Sequence, residues 1–131
     1  MTRYVIGPDV ALRLAEEETP VSAAHELLAP ALIRSQLLNI LFQAVQDEDL
    51  TREDAARRMD FVRGLKLRLL GDRVLQRVAW RLAEQLGWED TYDAEYVALT
   101  TLQADAFVTL DNDLADAVKG LIEIATVEDL R

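Results

Sequence analysis

Four aspartates stand where carboxylate chemistry can be assembled. Asp9 follows a short β-prone run, Arg3-Tyr4-Val5-Ile6. Asp93 opens a helical stretch within Thr91-Tyr92-Asp93-Ala94. Asp111 directly follows the compact apolar run Ala106 to Leu110, and Asp113 stands just beyond it. Carboxylates brought together repel one another unless they are protonated or neutralised by a cation. The natural guest is Mg²⁺ or Mn²⁺, hard ions that prefer oxygen. Such an ion activates water and stabilises the oxygen leaving a phosphate. Each acid also has a plainer reading taken singly. Asp9 and Asp93 suit the positive end of a helix dipole, and Asp111 suits an N-cap. Their joint placement is what favours a site.

The rest of the composition narrows the chemistry. The chain has 131 residues, no Cys and one His, His25. That excludes a disulfide framework, thiolate metal sites, a cysteine nucleophile and any two-histidine metal site. His25 lies among apolar residues and reads as structural. The length suits one domain, residues 1–131. Half the residues are hydrophobic and 29% are charged, the balance of a folded globular protein. No apolar run approaches membrane-spanning length and Met1 to Tyr4 carries no secretory signature, so the expected location is cytoplasmic with no membrane partner.

Net charge is −10, yet its distribution is uneven. Residues 52–81 carry nine bases and four acids; the remainder carries five bases and twenty acids. A basic island on an acidic chain can face RNA or an acidic partner, or it can be a set of ordinary ion-paired helix faces.

To bring the acids together the chain needs strands that end near one another. Arg3 to Ile6 reads as a strand, broken by Gly7-Pro8, with Pro8 opening a helix. A second apolar stretch, His25 to Ala29, ends at Pro30. Residues 31–45 have helical spacing, with Leu37, Leu38, Leu41 and Phe42 on one stripe. Thr51 caps a helix running to Arg63, where Gly64 stops it. Leu65 to Leu70 alternates apolar and basic residues and predicts a strand. A helix over 72–86 ends at Gly87 and holds Trp80, read as packed. Thr91 caps a helix over 92–103. Residues 106–110 form a strand, Asp111 starts a short helix, Leu121 to Ala125 is a last strand and Val127 to Arg131 a tail. Strands alternating with helices predict an α/β fold, three layers with a mainly parallel central sheet. In such sheets ligands collect at the carboxyl ends of the strands, where strand order switches.

Several segments resemble a known family. Tyr92-Asp93-Ala94-Glu95-Tyr96-Val97-Ala98-Leu99 and Ala104-Asp105-Ala106-Phe107-Val108-Thr109-Leu110-Asp111-Asn112-Asp113-Leu114 resemble the C-terminal half of a PIN domain, most closely the VapC toxin of bacterial toxin–antitoxin pairs. Ala29 to Leu41 resembles the family's second motif, and Tyr4 to Leu14 its first. The resemblance spans essentially the whole chain. It implies a PIN-like three-layer α/β/α fold and a Mg²⁺- or Mn²⁺-dependent ribonuclease whose acids surround the metal at the mouth of the sheet. Carried over by position, Asp93 and Asp111 match two of those acids, with Asp113 near them. Thr109 matches a hydroxyl position before the last acid, and Asn39 an Asn of the second motif. Two positions depart. The family's first Asp falls on Gly7, and its Glu of the second motif on Gln36, which keeps a carbonyl oxygen without the charge.

Asp9 is the candidate replacement for the missing first acid, because residues two apart point to the same side of an extended chain. The expected catalytic set is Asp9, Asp93 and Asp111. The expected metal set adds Asp113, with Gln36 and Thr109 supporting and Ser35 orienting water or phosphate. One metal is the safer expectation on charge count. The resemblance also implies an RNA substrate, an antitoxin protein and a homodimer. A second reading keeps the fold without turnover, acting through a protein partner or uncut RNA. A third leaves a structural α/β module.

Overall fold

The computed structural model describes all 131 residues. Five parallel strands form one sheet: β1 (Thr2–Ile6), β2 (His25–Pro30), β3 (Arg68–Leu70), β4 (Ala106–Val108) and β5 (Ile124–Ala125), in the order β3-β2-β1-β4-β5. The six helices are α1 (Pro8–Glu17), α2 (Ile33–Gln46), α3 (Arg52–Gly64), α4 (Arg73–Leu86), α5 (Tyr92–Gln103) and α6 (Asn112–Ala117). The expected α/β class and parallel sheet are present.

The central strand explains why the sheet must be covered on both faces. Val5 and Ile6 of β1 are fully buried in succession, so both faces of β1 meet protein. Right-handed crossovers carry the chain to β2 on one side of β1 and later to β4 on the other, which places α1 and α5 on opposite faces. α5 packs on β1, β2 and β4, and α4 packs outside it against α5. On the other side α1 packs with α2 and α3. The core runs through Ile6, Leu14, Leu28, Ile33, Tyr96, Leu99 and Phe107.

Four expectations about elements are corrected. Leu65 to Leu67 is a turn, and β3 begins only at Arg68; Lys66 takes a left-handed φ of 56° that reverses the chain after α3. Gly64 is the last helical residue rather than the stop, which falls on Leu65. Thr91 occupies the N-cap position of α5 but its side chain caps nothing; the Asp90 carboxylate accepts from the Tyr92 amide instead. The strands at 106–110 and 121–125 shorten to Ala106–Val108 and Ile124–Ala125.

The tail is not loose. Val127–Leu130 forms a 3-10 helix closed by a capping box between Thr126 and Asp129. Those hydrogen bonds, from the Thr126 backbone first, hold the Asp129 carboxyl below its usual range. Leu130 is fully buried, and its carbonyl accepts from the Ser22 amide.

Trp80 is not packed either. The inward stripe of α4 is Leu75, Ala79 and Ala83, recurring every four residues. Trp80 follows Ala79 by one residue, about 100° around the helix, and faces solvent. The α2 stripe divides likewise: Leu37 and Leu41 are buried, Leu38 and Phe42 exposed. His25, the first residue of β2, is partly buried. Its ring stands edge-on to Tyr4 with centroids 5.1 Å apart, at the amino end of the sheet and away from the acids.

Candidate functional site

The strand order switches between β1 and β4, and the aspartates gather at the carboxyl ends of these two strands. Asp9 enters through Gly7-Pro8. Pro8 supplies no amide at the first position of α1, where none is needed, and its fixed φ starts the helix at once. Asp9 therefore sits in the first turn of α1, facing the segment that leaves β4. One Asp9 oxygen, Oδ2, accepts from the Leu110 amide at 2.9 Å and from the Thr109 hydroxyl at 3.3 Å. The other, Oδ1, accepts from the Val10 amide at 2.8 Å.

Gly7 shows why Asp9 can do this. A Cβ placed on Gly7 would stand 2.6 Å from Asp9 Oδ1, closer than such atoms approach. The Asp9 carboxylate thus fills the space that a side chain at position 7 would occupy. A side chain at position 7 would require the Asp9 carboxylate to move from its present place.

Thr109 joins two of the acids. Its hydroxyl donates to Asp9 and accepts from the Asp111 amide at 3.1 Å. Asp111 caps α6, its Oδ1 accepting from the Leu114 amide at 3.1 Å. The plainer reading of Asp111 as an N-cap is therefore correct, and it coexists with membership of the cluster, because one oxygen remains uncommitted.

Asp93 is the electrostatic centre. Its carboxyl titrates above its ordinary value, first because burial disfavours the anion and then through repulsion from Asp111, Asp90 and Asp9. Asp93 itself stays exposed on the first turn of α5. Burial also raises its neighbour Glu95. Asp113 is not among the charges acting on Asp93; it lies exposed in the first turn of α6.

The wall beside these acids is polar. Tyr96, one turn after Asp93 on α5, donates its hydroxyl hydrogen bond to Gln36 Oε1 on α2. Burial drives the Tyr96 phenol well above its ordinary range, and the charges of Glu95, Asp9 and Asp93 add to this. Gln36 therefore serves as an acceptor for a neutral phenol, which a carboxylate there would do at the cost of another repelling charge. Ser35 and Asn39 are exposed on α2. Tyr96 and Asp90 were not singled out from the sequence. The i, i+3 spacing of Asp93 and Tyr96, and the acid pair Glu89-Asp90 before α5, were the available signals.

No three His, Asp or Glu side chains converge closely enough to ligate one ion together. The donor set nevertheless fits Mg²⁺ or Mn²⁺. It is all oxygen, and its like charges lie close enough to raise Asp93. Mg²⁺ commonly uses one or two carboxylates with waters and substrate phosphates rather than a closed protein cage.

Structure comparison places the fold. A crystal structure of PAE2754 from Pyrobaculum aerophilum superposes with a TM-score of 0.67 at 22% identity, over 98% of this chain and 93% of that one. VapBC2 from Rickettsia felis, bound to a DNA fragment from its promoter, gives 0.68 at 9% identity over 95% and 98% of the two chains. VapBC-5 from Mycobacterium tuberculosis, of the VapBC family of toxin–antitoxin systems, gives 0.64 at 17% over 96% and 98%. No protein-family model and no curated protein matches the sequence. The fold is the PIN type found in VapBC toxin–antitoxin structures.

Proposed function

We propose that this chain is a divalent-metal-dependent endoribonuclease of the PIN/VapC type, with Asp9, Asp93 and Asp111 as its acids. One observation carries the reading: the Asp9 carboxylate lies in the space of a residue-7 side chain, beside Asp93 and Asp111 at the strand-order switch. The likeness to VapBC structures supports it.

Mg²⁺ or Mn²⁺ drawn to the charges of Asp9, Asp93 and Asp111, with waters and substrate phosphate supplying the ligands these three do not supply together, would bring Lewis acidity toward water and the scissile phosphate. The chain's own residues do the positioning. The Leu110 amide and Thr109 hydroxyl fix the Asp9 oxygens, and the Asp111 amide fixes Thr109. Burial and the neighbouring carboxylates raise the Asp93 carboxyl, so a cation at this mouth would relieve that repulsion. Tyr96 and Gln36 hold the opposite wall without adding charge.

A second reading, a PIN fold that binds a partner without turnover, is favoured by the absence of three converging ligands. The groove between α2 and α3, lined by Leu38, Phe42, Val45 and Met59, suits a protein contact such as an antitoxin or a second copy. Calorimetric Mn²⁺ titration and RNA cleavage by purified protein decide between the two. Saturable binding and cleavage, both lost in Asp93→Asn/Asp111→Asn, support the nuclease. Absence of binding at millimolar metal supports the partner-binding reading.

A further inference from the structure

The basic island divides once its partners are known. Arg57 pairs with Asp54, Arg63 with Asp60 and Arg68 with Glu26. Arg52, Arg58 and Lys66 form no ion pair, and neither do the three arginines of α4, Arg73, Arg77 and Arg81. The α4 arginines recur every four residues, so they form one outer stripe with a step of about 6 Å per guanidinium. With Gln76 and Trp80 they line a single open depression.

Trp80 is 66% exposed, unusual for so large an apolar ring. Its indole N–H donates to Glu84, one turn further on, which fixes the ring edge and leaves its face open. The two acids bordering the stripe are already engaged. Asp72 caps α4 through the Leu75 amide, and Glu84 holds the indole.

We propose that the outer face of α4 holds single-stranded RNA, with Arg73, Arg77 and Arg81 on successive phosphates and Trp80 stacked on a base. The proposal deepens the nuclease reading and rests on it for the identity of the polyanion. Three features select a nucleic acid over an acidic protein. Guanidinium groups match phosphate in a two-pronged geometry. An aromatic face accepts any base, so stacking needs no further pocket. The depression contains one hydrophobic residue, Trp80, and so lacks the packed apolar centre of a protein hot spot. The rest of a chain of net charge −10 repels RNA, so retention falls to the cations that no acid neutralises. α5, which carries Asp93, packs directly beneath α4.

The test is binding of fluorescein-labelled oligouridylate and oligoadenylate to the full chain in EDTA, over a salt series. The log of affinity against log salt should fall with a slope of about −2, as three single-strand phosphate contacts require. Arg73→Gln/Arg77→Gln/Arg81→Gln should flatten that slope and weaken binding at low salt at least about tenfold. Trp80→Ala should cost about 5- to 100-fold, and Trp80→Phe much less. RNA should quench tryptophan emission in the wild type and not in Trp80→Phe, where Trp88 remains. Unchanged RNA binding by the triple arginine variant, with its circular dichroism intact, overturns the proposal. So does capture of polyglutamate in preference to RNA, or quenching of Trp80 by self-association without RNA. Binding in EDTA with no cleavage in Mn²⁺ sinks the nuclease reading and leaves this surface standing. Cleavage with unchanged binding by the triple variant does the reverse.

Discussion

The mouth of the sheet and the outer face of α4 carry opposite charges held in opposite ways. At the mouth, the short side chains of Asp9 and Asp111 are held by backbone amides and, for Asp9, by the Thr109 hydroxyl. The Asp93 carboxyl is raised first by burial and then by repulsion from its acidic neighbours. On α4, long arginine side chains stand in solvent, where screening and rotamer freedom dissipate repulsion. The first region sets like charges on short side chains close enough to act on one another. The second is adaptable, suited to an extended anion.

The largest expected effect breaks the first region. Asp93→Asn and Asp111→Asn should each lower RNA cleavage about 10²- to 10⁴-fold with the fold intact, as measured by single-turnover cleavage in Mn²⁺. Asp111→Asn keeps an oxygen to cap α6, so circular dichroism should be unchanged.

The next sharpens the steric exchange. Gly7→Asp alone should destabilise, because its Cβ meets Asp9 Oδ1 at 2.6 Å. The cost is that of the hydrogen bonds the displaced Asp9 carboxylate gives up, about 1–3 kcal/mol in denaturant melts. Gly7→Asp with Asp9→Ala should recover both stability and Mn²⁺ affinity. Failure of the double variant to recover would separate the two positions.

Thr109→Val should lower Mn²⁺ affinity about 10-fold by calorimetry, since the hydroxyl orients Asp9 and Asp111 together. Thr109→Ser should restore it. The α4 arginines should leave Mn²⁺ affinity unchanged, because their charges act on RNA rather than on the acids.

The smallest effect is thermal. An acid whose carboxyl is raised on folding makes the fold less stable as pH rises through its unfolded value toward its folded one. For Asp93 that window opens near 3.8 and extends upward to its raised folded value. Neutral Asp93→Asn should therefore raise Tm at pH 7 by about 1–3 °C. The gain should vanish below the unfolded value, where wild-type Asp93 is protonated, and wild-type Tm should rise with Mn²⁺ more than that of the variant.

Much of this was legible in local pattern. The helix over 73–86 and the start of the helix at Arg52 follow from caps and periodicity, and the helix over 92–103 from periodicity alone; Thr51 caps α3, Asp72 caps α4, Asp111 caps α6 and Gly87 ends α4 with φ 68°. Alternation failed at Leu65 to Leu67, where a left-handed Lys66 makes a turn that no hydrophobic pattern encodes. It also failed at the carboxyl terminus, where Leu130, with Val127 beside it, anchors a short helix onto the core.

By itself the sequence determined the supply of chemistry: no thiol, one histidine, acids at strand ends and a surplus of arginine in residues 52–81. It also determined the α/β order, because hydrophobic periodicity is a local property. Only the tertiary structure decided which charges meet. Whether Asp9 reaches Asp93, whether Asp90 rather than Asp113 acts on it, and which arginines find acids depend on distances between segments far apart in the chain. Coulomb energies and steric exclusion act through space, and spacing along the chain does not encode them.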